Sequence, residues 1–192
     1  ESAGSSYSEP AFDAYLESFQ LVPSNHEANA GLERLTVELE RWSTWVDTLE
    51  EVTEAAEQSV AIPLLLKAGE SIKEQLNDPH RAIASYTRVV DLDPANENAL
   101  DALDTLYAMV GQDADRIPVL QKLAEVVSDE NRRRKTMYTA GGLHEKNGDL
   151  NEAIEAFAYV LQHGDAASES IARDAMTHLE SLYTQTEHWL PL

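Results

Sequence analysis

Six histidines, 35 acidic residues and one short run of cations are the groups in this 192-residue chain whose types could do chemistry. Metal-assisted hydrolysis would call for two histidines four apart on a helix with a glutamate beside the first, the HExxH spacing. His26, His80, His144, His163, His178 and His188 are scattered, with no such pair. General acid–base work needs carboxylates brought into one cleft. Glu50 and Glu51, and Glu54 and Glu57, instead follow one another along a single acidic stretch, which reads as a solvated stripe. Asp91 and Asp93 precede Pro94, but "DLDPANENAL" has neither the central glycine nor the closing glutamate of a calcium loop. No GxGxxG or GxxxxGK loop is present to cradle phosphate, and no serine sits in a GxSxG elbow. With no cysteine there is no thiol nucleophile, thiolate metal site or disulfide. The residues propose no catalytic group, no metal site and no cofactor.

Two features remain. The stretch "NRRRKTMY" (131–138) gathers four of the 14 basic residues at a helix start, where the helix dipole disfavours cations. One reading is neutralisation by neighbouring acidic turns. The other is a contact for an acidic or phosphorylated partner through arginine forks, for which Arg133 and Arg134 are the candidates. The second feature is "AGG" (140–142), which falls mid-helix by pattern and suits close helix approach better than phosphate binding.

The net charge is −21. Such a surface keeps a chain soluble, forfeits the electrostatic term that dominates nucleic-acid binding, and is repelled by anionic membranes. A protein partner, if charge selects it, would be basic. The longest apolar run, "VAIPLLL" (60–66), is too short to span a bilayer. The chain begins at Glu1, and nothing in it names a compartment; the cytoplasm is the default and the periplasm stays open.

Glycine and proline are sparse, while alanine, leucine and glutamate, good helix formers, dominate. Positions 11–35 align with positions 82–106 without a gap, and eight of the 25 pairs are identical. The identities include Tyr15/Tyr86, Leu21/Leu92, Pro23/Pro94, Asn25/Asn96, Ala28/Ala99, Leu32/Leu103 and Leu35/Leu106. In this reading Leu21, Pro23, Leu32 and Leu35 hold helices in register. A third copy follows at the same offset: "AIASY" (82–86) becomes "AIEAF" (153–157), a short insertion enters around 163–170, and "LDTLY" (103–107) returns as "LESLY" (179–183). Apolar positions recur at helical spacing, with Asp78 and Asp149 as caps, Pro79 at a first helical position and Gly148 as a stop. The pattern predicts helices near 10–21, 25–39, 44–57, 60–76, 79–92, 96–110, 114–127, 129–147, 149–163 and 167–186.

Four helices fall between the start of one copy and the start of the next. They make two pairs of about 35 residues each, near the repeat length of helix–turn–helix arrays. Leu65, Ala68, Gly69 and Ile72, followed by Ala82, Tyr86, Val89 and Pro94, resemble one tetratricopeptide repeat. Met137, Ala140, Gly141 and His144, followed by Ala153, Phe157 and Val160, resemble another. His144 stands where that family often has an aromatic and reads as a packing residue. The alternate pairs fit less well: Asp104 replaces a small residue, and Trp42, Trp45 and Trp189 mark a second subtype. The whole is similar to a bacterial tetratricopeptide array.

The resemblance implies an all-α fold, a right-handed α-solenoid (superhelix) of antiparallel helix pairs with about ten helices. Residues 10–192 would be a single array, with 1–9 a disordered or truncated leader and both ends reading as cut from a longer protein. It further implies a non-catalytic module that binds a protein or peptide segment in a concave groove lined by the first helix of each pair. Those positions are Asn98, Asp101, Thr105, Lys135, Tyr138, Glu145, Asp174, Thr177 and Ser181. The alternative is a structural spacer that self-associates through its ends, with Trp189–Leu192 as the contact.

Overall fold

In a computed structural model of the chain, residues 5–163 and 169–186 are described. The contact at Trp189–Leu192 and most of the insertion at 163–170 lie outside them. The described residues form ten helices and no strand. Contacts gather the chain into two compact units, one ending at Pro94 and the other starting at Ala95. The first holds α1 (Ser5–Leu21), α2 (His26–Leu39), α3 (Trp42–Thr53), α4 (Gln58–Ser71, continued by a π-helical turn Ile72–Leu76) and α5 (Pro79–Leu92). The second holds α6 (Glu97–Val110), α7 (Asp113–Val126), α8 (Glu130–Asn147), α9 (Leu150–Gln162) and α10 (Glu169–Thr186). Each is a stack of antiparallel helix hairpins, the α-solenoid arrangement. Helix α1 begins at Ser5, ahead of the predicted start at 10, and runs through Pro10.

The duplicated stretch is explained residue by residue. Asn25 and Asn96 are the N-caps of α2 and α6, and their side chains accept from the Ala28 and Ala99 amides at 3.2 Å. Ala28, Leu32 and Leu35, like Ala99, Leu103 and Leu106, are then buried. The role given to Leu21 needs correction. It is 76 % exposed, because it lies two positions past buried Phe19, about 200° round the helix.

Gly69 and Gly141, which the repeat pattern matches, each sit under an aromatic ring, and so does Gly31. A Cβ at Gly69 would lie 2.8 Å from Tyr86, one at Gly31 2.6 Å from Tyr15, and one at Gly141 3.0 Å from Phe157. Tyr15, Tyr86 and Phe157 occupy the same position in the three copies. Of the "AGG" pair only Gly141 makes this close approach; Gly142 has open space. The stretch from Gly69 to Tyr86 is one residue longer than the stretch from Gly141 to Phe157. The π-helical turn at Ile72–Leu76 absorbs that extra residue without breaking α4.

The hairpin turns share one device. Helices α2, the α4 extension, α6 and α8 each end on a residue in the left-handed region, at Glu40, Asn77, Gly111 and Gly148. None of the described ends of α3, α5, α7 and α9 does so. The turn within a pair and the turn between pairs therefore differ in kind.

Polar contacts reach across one repeat. In the first unit Arg81 of α5 meets Asp47 and Glu50 of α3 at 2.5 Å each, and Arg88 donates to Thr53. Lys67 of α4 binds Glu33 of α2. These partners are 31 to 35 residues apart, so the repeat length itself brings them together.

Candidate protein-interaction face on α6, α8 and α10

The nine groove positions all fall on the first helices of the second unit's pairs. Helix α6 carries Asn98, Asp101 and Thr105, α8 carries Lys135, Tyr138 and Glu145, and α10 carries Asp174, Thr177 and Ser181. Spacings of three, four or seven positions put each trio on one side of its helix. Asn98, Thr105, Lys135, Asp174, Thr177 and Ser181 are exposed; Asp101, Tyr138 and Glu145 are half-buried.

The half-buried members tie the three helices together. Arg132 of α8 reaches α6, meeting Glu97 at 2.7 Å and Asp101 at closer range. The hydrogen bond to Asp101 is the first cause holding the Arg132 guanidinium above its ordinary range. Glu145 of α8 lies 2.6 Å from Nδ1 of His178 on α10. The His178 ring stacks on Phe157 at 4.7 Å and meets the edge of Tyr138 at 6.2 Å. Beneath them Phe157, Val160, Ala175, Leu179 and Leu182 form a buried cluster that Tyr138 flanks. Thr105 and Thr177 hand their hydroxyl protons to the carbonyls of Asp101 and Arg173, one turn back in their own helices.

The basic run is used inside the molecule. Arg133 donates to the carbonyls of Ala124 and Val127, closing the end of α7, and to Glu130. Arg134 is 1 % exposed and donates from Nε to the Val160 carbonyl at the end of α9. Cations are favourable at helix carbonyl ends, which offsets their cost at the start of α8. Arg133 thus meets two carbonyls and one neighbouring acid, and Arg134 a carbonyl. Arg132 and His178 are the residues sequence reasoning missed. The signal was the one-repeat spacing, an arginine or histidine 31 to 35 residues after an acid.

No other chemistry gathers here. Among the described residues, no group of three histidines or carboxylates could hold a metal ion. His144 is buried, with Nε2 3.3 Å from Gln121 and Nδ1 3.3 Å from Asp149. The Asp149 carboxyl is held below its usual range by Asn147 first and His144 second. No described helix is long and apolar enough to cross a membrane.

Comparison with known proteins bears on the fold. Residues 63–96 match the model of the tetratricopeptide repeat, the stretch that holds Gly69, Ala82, Tyr86 and Pro94. Among solved structures, YrrB, described as a tetratricopeptide protein with an unusual peptide-binding site, is 18 % identical. The match covers 91 % of this chain and 86 % of that one at a TM-score of 0.51. A mutant form of MamA is also 18 % identical, over 93 % of this chain and 90 % of its own, at 0.50. At that identity the likeness is one of fold. No curated protein matches the sequence.

Proposed function

Since the chain is a tetratricopeptide-repeat protein with the fold of an interaction scaffold, we propose that the α6–α8–α10 face binds an extended protein segment. One observation carries this. Asp101, Tyr138 and Glu145 are spent on bracing the three helices, while Asn98, Lys135, Asp174 and Ser181 stay exposed between the braces. A braced face loses little entropy when a ligand settles on it. The exposed set mixes amides, hydroxyls and both charges, so it favours a polar backbone-reading contact over a deep anchor. With a net charge of −21, the segment is a basic one. The unusual peptide-binding site ascribed to YrrB, which shares the fold, is consistent with a peptide ligand here. The proposed role is non-catalytic.

The test is selection from a random dodecapeptide library on the immobilised chain, followed by amide-shift mapping of a selected peptide. Basic peptides that move amides on α6, α8 and α10, and bind less well to a joint Asn98→Ala, Asp174→Ala and Ser181→Ala variant, would bear the proposal out. Peptides that leave this face unmoved, or a chain that selects only itself, would refute it.

A further inference from the structure

The first unit has an open hollow that the repeat pattern does not account for. It is a notch of about 610 Å³ between the end of α1, the α1–α2 turn and the end of α3. Clefts that take small ligands are roughly 300–1,000 Å³. Its apolar lining is Pro23, Val52, Ala55, Ala56 and Val60.

The duplication shows why the notch exists. In the next copy, the positions that correspond to Val52, Ala55 and Ala56 are Leu123, Val126 and Val127. The register is sound, because buried Val46, Leu49 and Thr53 correspond to buried Ile117, Leu120 and Ala124. In the second copy Leu123 and Val127 are buried at 3 % and 1 % exposure. In the first copy every one of the three positions is smaller, and the residues left behind line open space.

The notch is rimmed by one sign of charge. Glu51 and Glu57 line it, and exposed Glu54 lies between them in sequence. No cation pairs with any of the three among the described residues. Glu51 accepts only a 3.5 Å contact from Gln20, whereas neighbouring Glu50 is engaged by Arg81 and Ser85. Lys67, which lines the smaller hollow alongside, is tied to Glu33. The rim therefore attracts cations.

We propose that this notch is a docking site for a basic peptide segment carrying one large apolar side chain. The side chain fills the hollow over Val52, Ala55 and Ala56, and the flanking lysines or arginines meet Glu51, Glu54 and Glu57. The site is separate from the α6–α8–α10 face and stands or falls without it.

The probe is the peptide Lys-Arg-Phe-Arg-Lys, blocked at both ends, titrated into the isotope-labelled 192-residue chain. Amides of 20–22, 24 and 51–60 should shift, and the same peptide with alanine at its centre should bind at least about tenfold more weakly. The joint variant Ala55→Val and Ala56→Val, which installs the second copy's residues, should weaken the phenylalanine peptide to a similar degree. Glu54→Lys with Glu57→Lys alters only exposed positions and should weaken it several-fold, as should raised salt. Equal binding of the two peptides, or full binding by the valine variant with its melting temperature unchanged, would overturn the proposal. So would notch amides that move with protein concentration alone, which would make a second copy the occupant.

Discussion

Replacing Gly69 with alanine should destabilise the first unit, against the helix propensity of the two residues. Alanine in place of a mid-helix glycine gains about 0.5–1 kcal/mol. At Gly69, however, the new Cβ would stand 2.8 Å from two ring atoms of Tyr86 and 3.1 Å from a third. Tyr86 is 5 % exposed, so its ring has no free space to swing into. Overpacking of this kind costs about 1–3 kcal/mol, which leaves a net loss of roughly 1 kcal/mol after the propensity gain. Gly142 isolates the propensity effect, since a Cβ there meets nothing within 4 Å. Gly142→Ala should stabilise by the full gain of about 0.5–1 kcal/mol, and the two substitutions should differ by about 1–3 kcal/mol. Urea unfolding of each variant, read by circular dichroism and by the fluorescence of buried Trp45, gives the changes directly when the slope is constant. A Tyr86→Leu background completes the cycle, and there the Gly69→Ala penalty should shrink by about 1 kcal/mol or more. If Gly69→Ala were as stabilising as Gly142→Ala, the glycine–aromatic contact would not be what fixes α4 on α5.

Two further outcomes follow from single residues. Glu40 holds φ 55° at the end of α2, where Gly111 and Gly148 stand in the corresponding turns, so Glu40→Gly should stabilise by about 0.5–1 kcal/mol in the same assay. The Tyr86 hydroxyl is pushed up to about 12, first by burial and then by Glu70 and Glu74. Between about pH 10 and 12 the unfolded chain has lost that proton and the folded chain retains it, so stability falls as pH rises through this window. Phenolate absorbance should show one late-titrating tyrosine that disappears in Tyr86→Phe.

Helix positions were readable because each carries its own local marks. Asn25 and Asn96 cap the helices they precede, Pro79 opens α5, and Gly111 and Gly148 close α6 and α8, all within a short stretch of chain. Helix α1 started earlier than predicted because Ser5–Glu9 lack an apolar stripe and Pro10 reads as a boundary. Leu21 misled for a related reason: identity between copies marks a repeated position, and a position can be repeated while facing solvent.

The site was half legible. The family resemblance put the nine candidate groove residues on the first helices, and locating those helices is a question of counting along the chain. It gave no warning that Asp101 and Glu145 would be occupied by Arg132 and His178, or that Arg133 and Arg134 would turn inward to carbonyls of α7 and α9. Such pairings depend on which helix lies alongside and at what height.

The sequence by itself determined the helices, their pairing and the repeat, because caps, apolar stripes and glycine–aromatic spacings act over a few turns. Only the tertiary structure decided which charges were left over and where a hollow remained. Val52, Ala55 and Ala56 are unremarkable in the chain, and their smallness matters only because the corresponding positions of the next copy are packed with larger side chains. A cavity is a property of neighbours, and a linear chain does not name its neighbours.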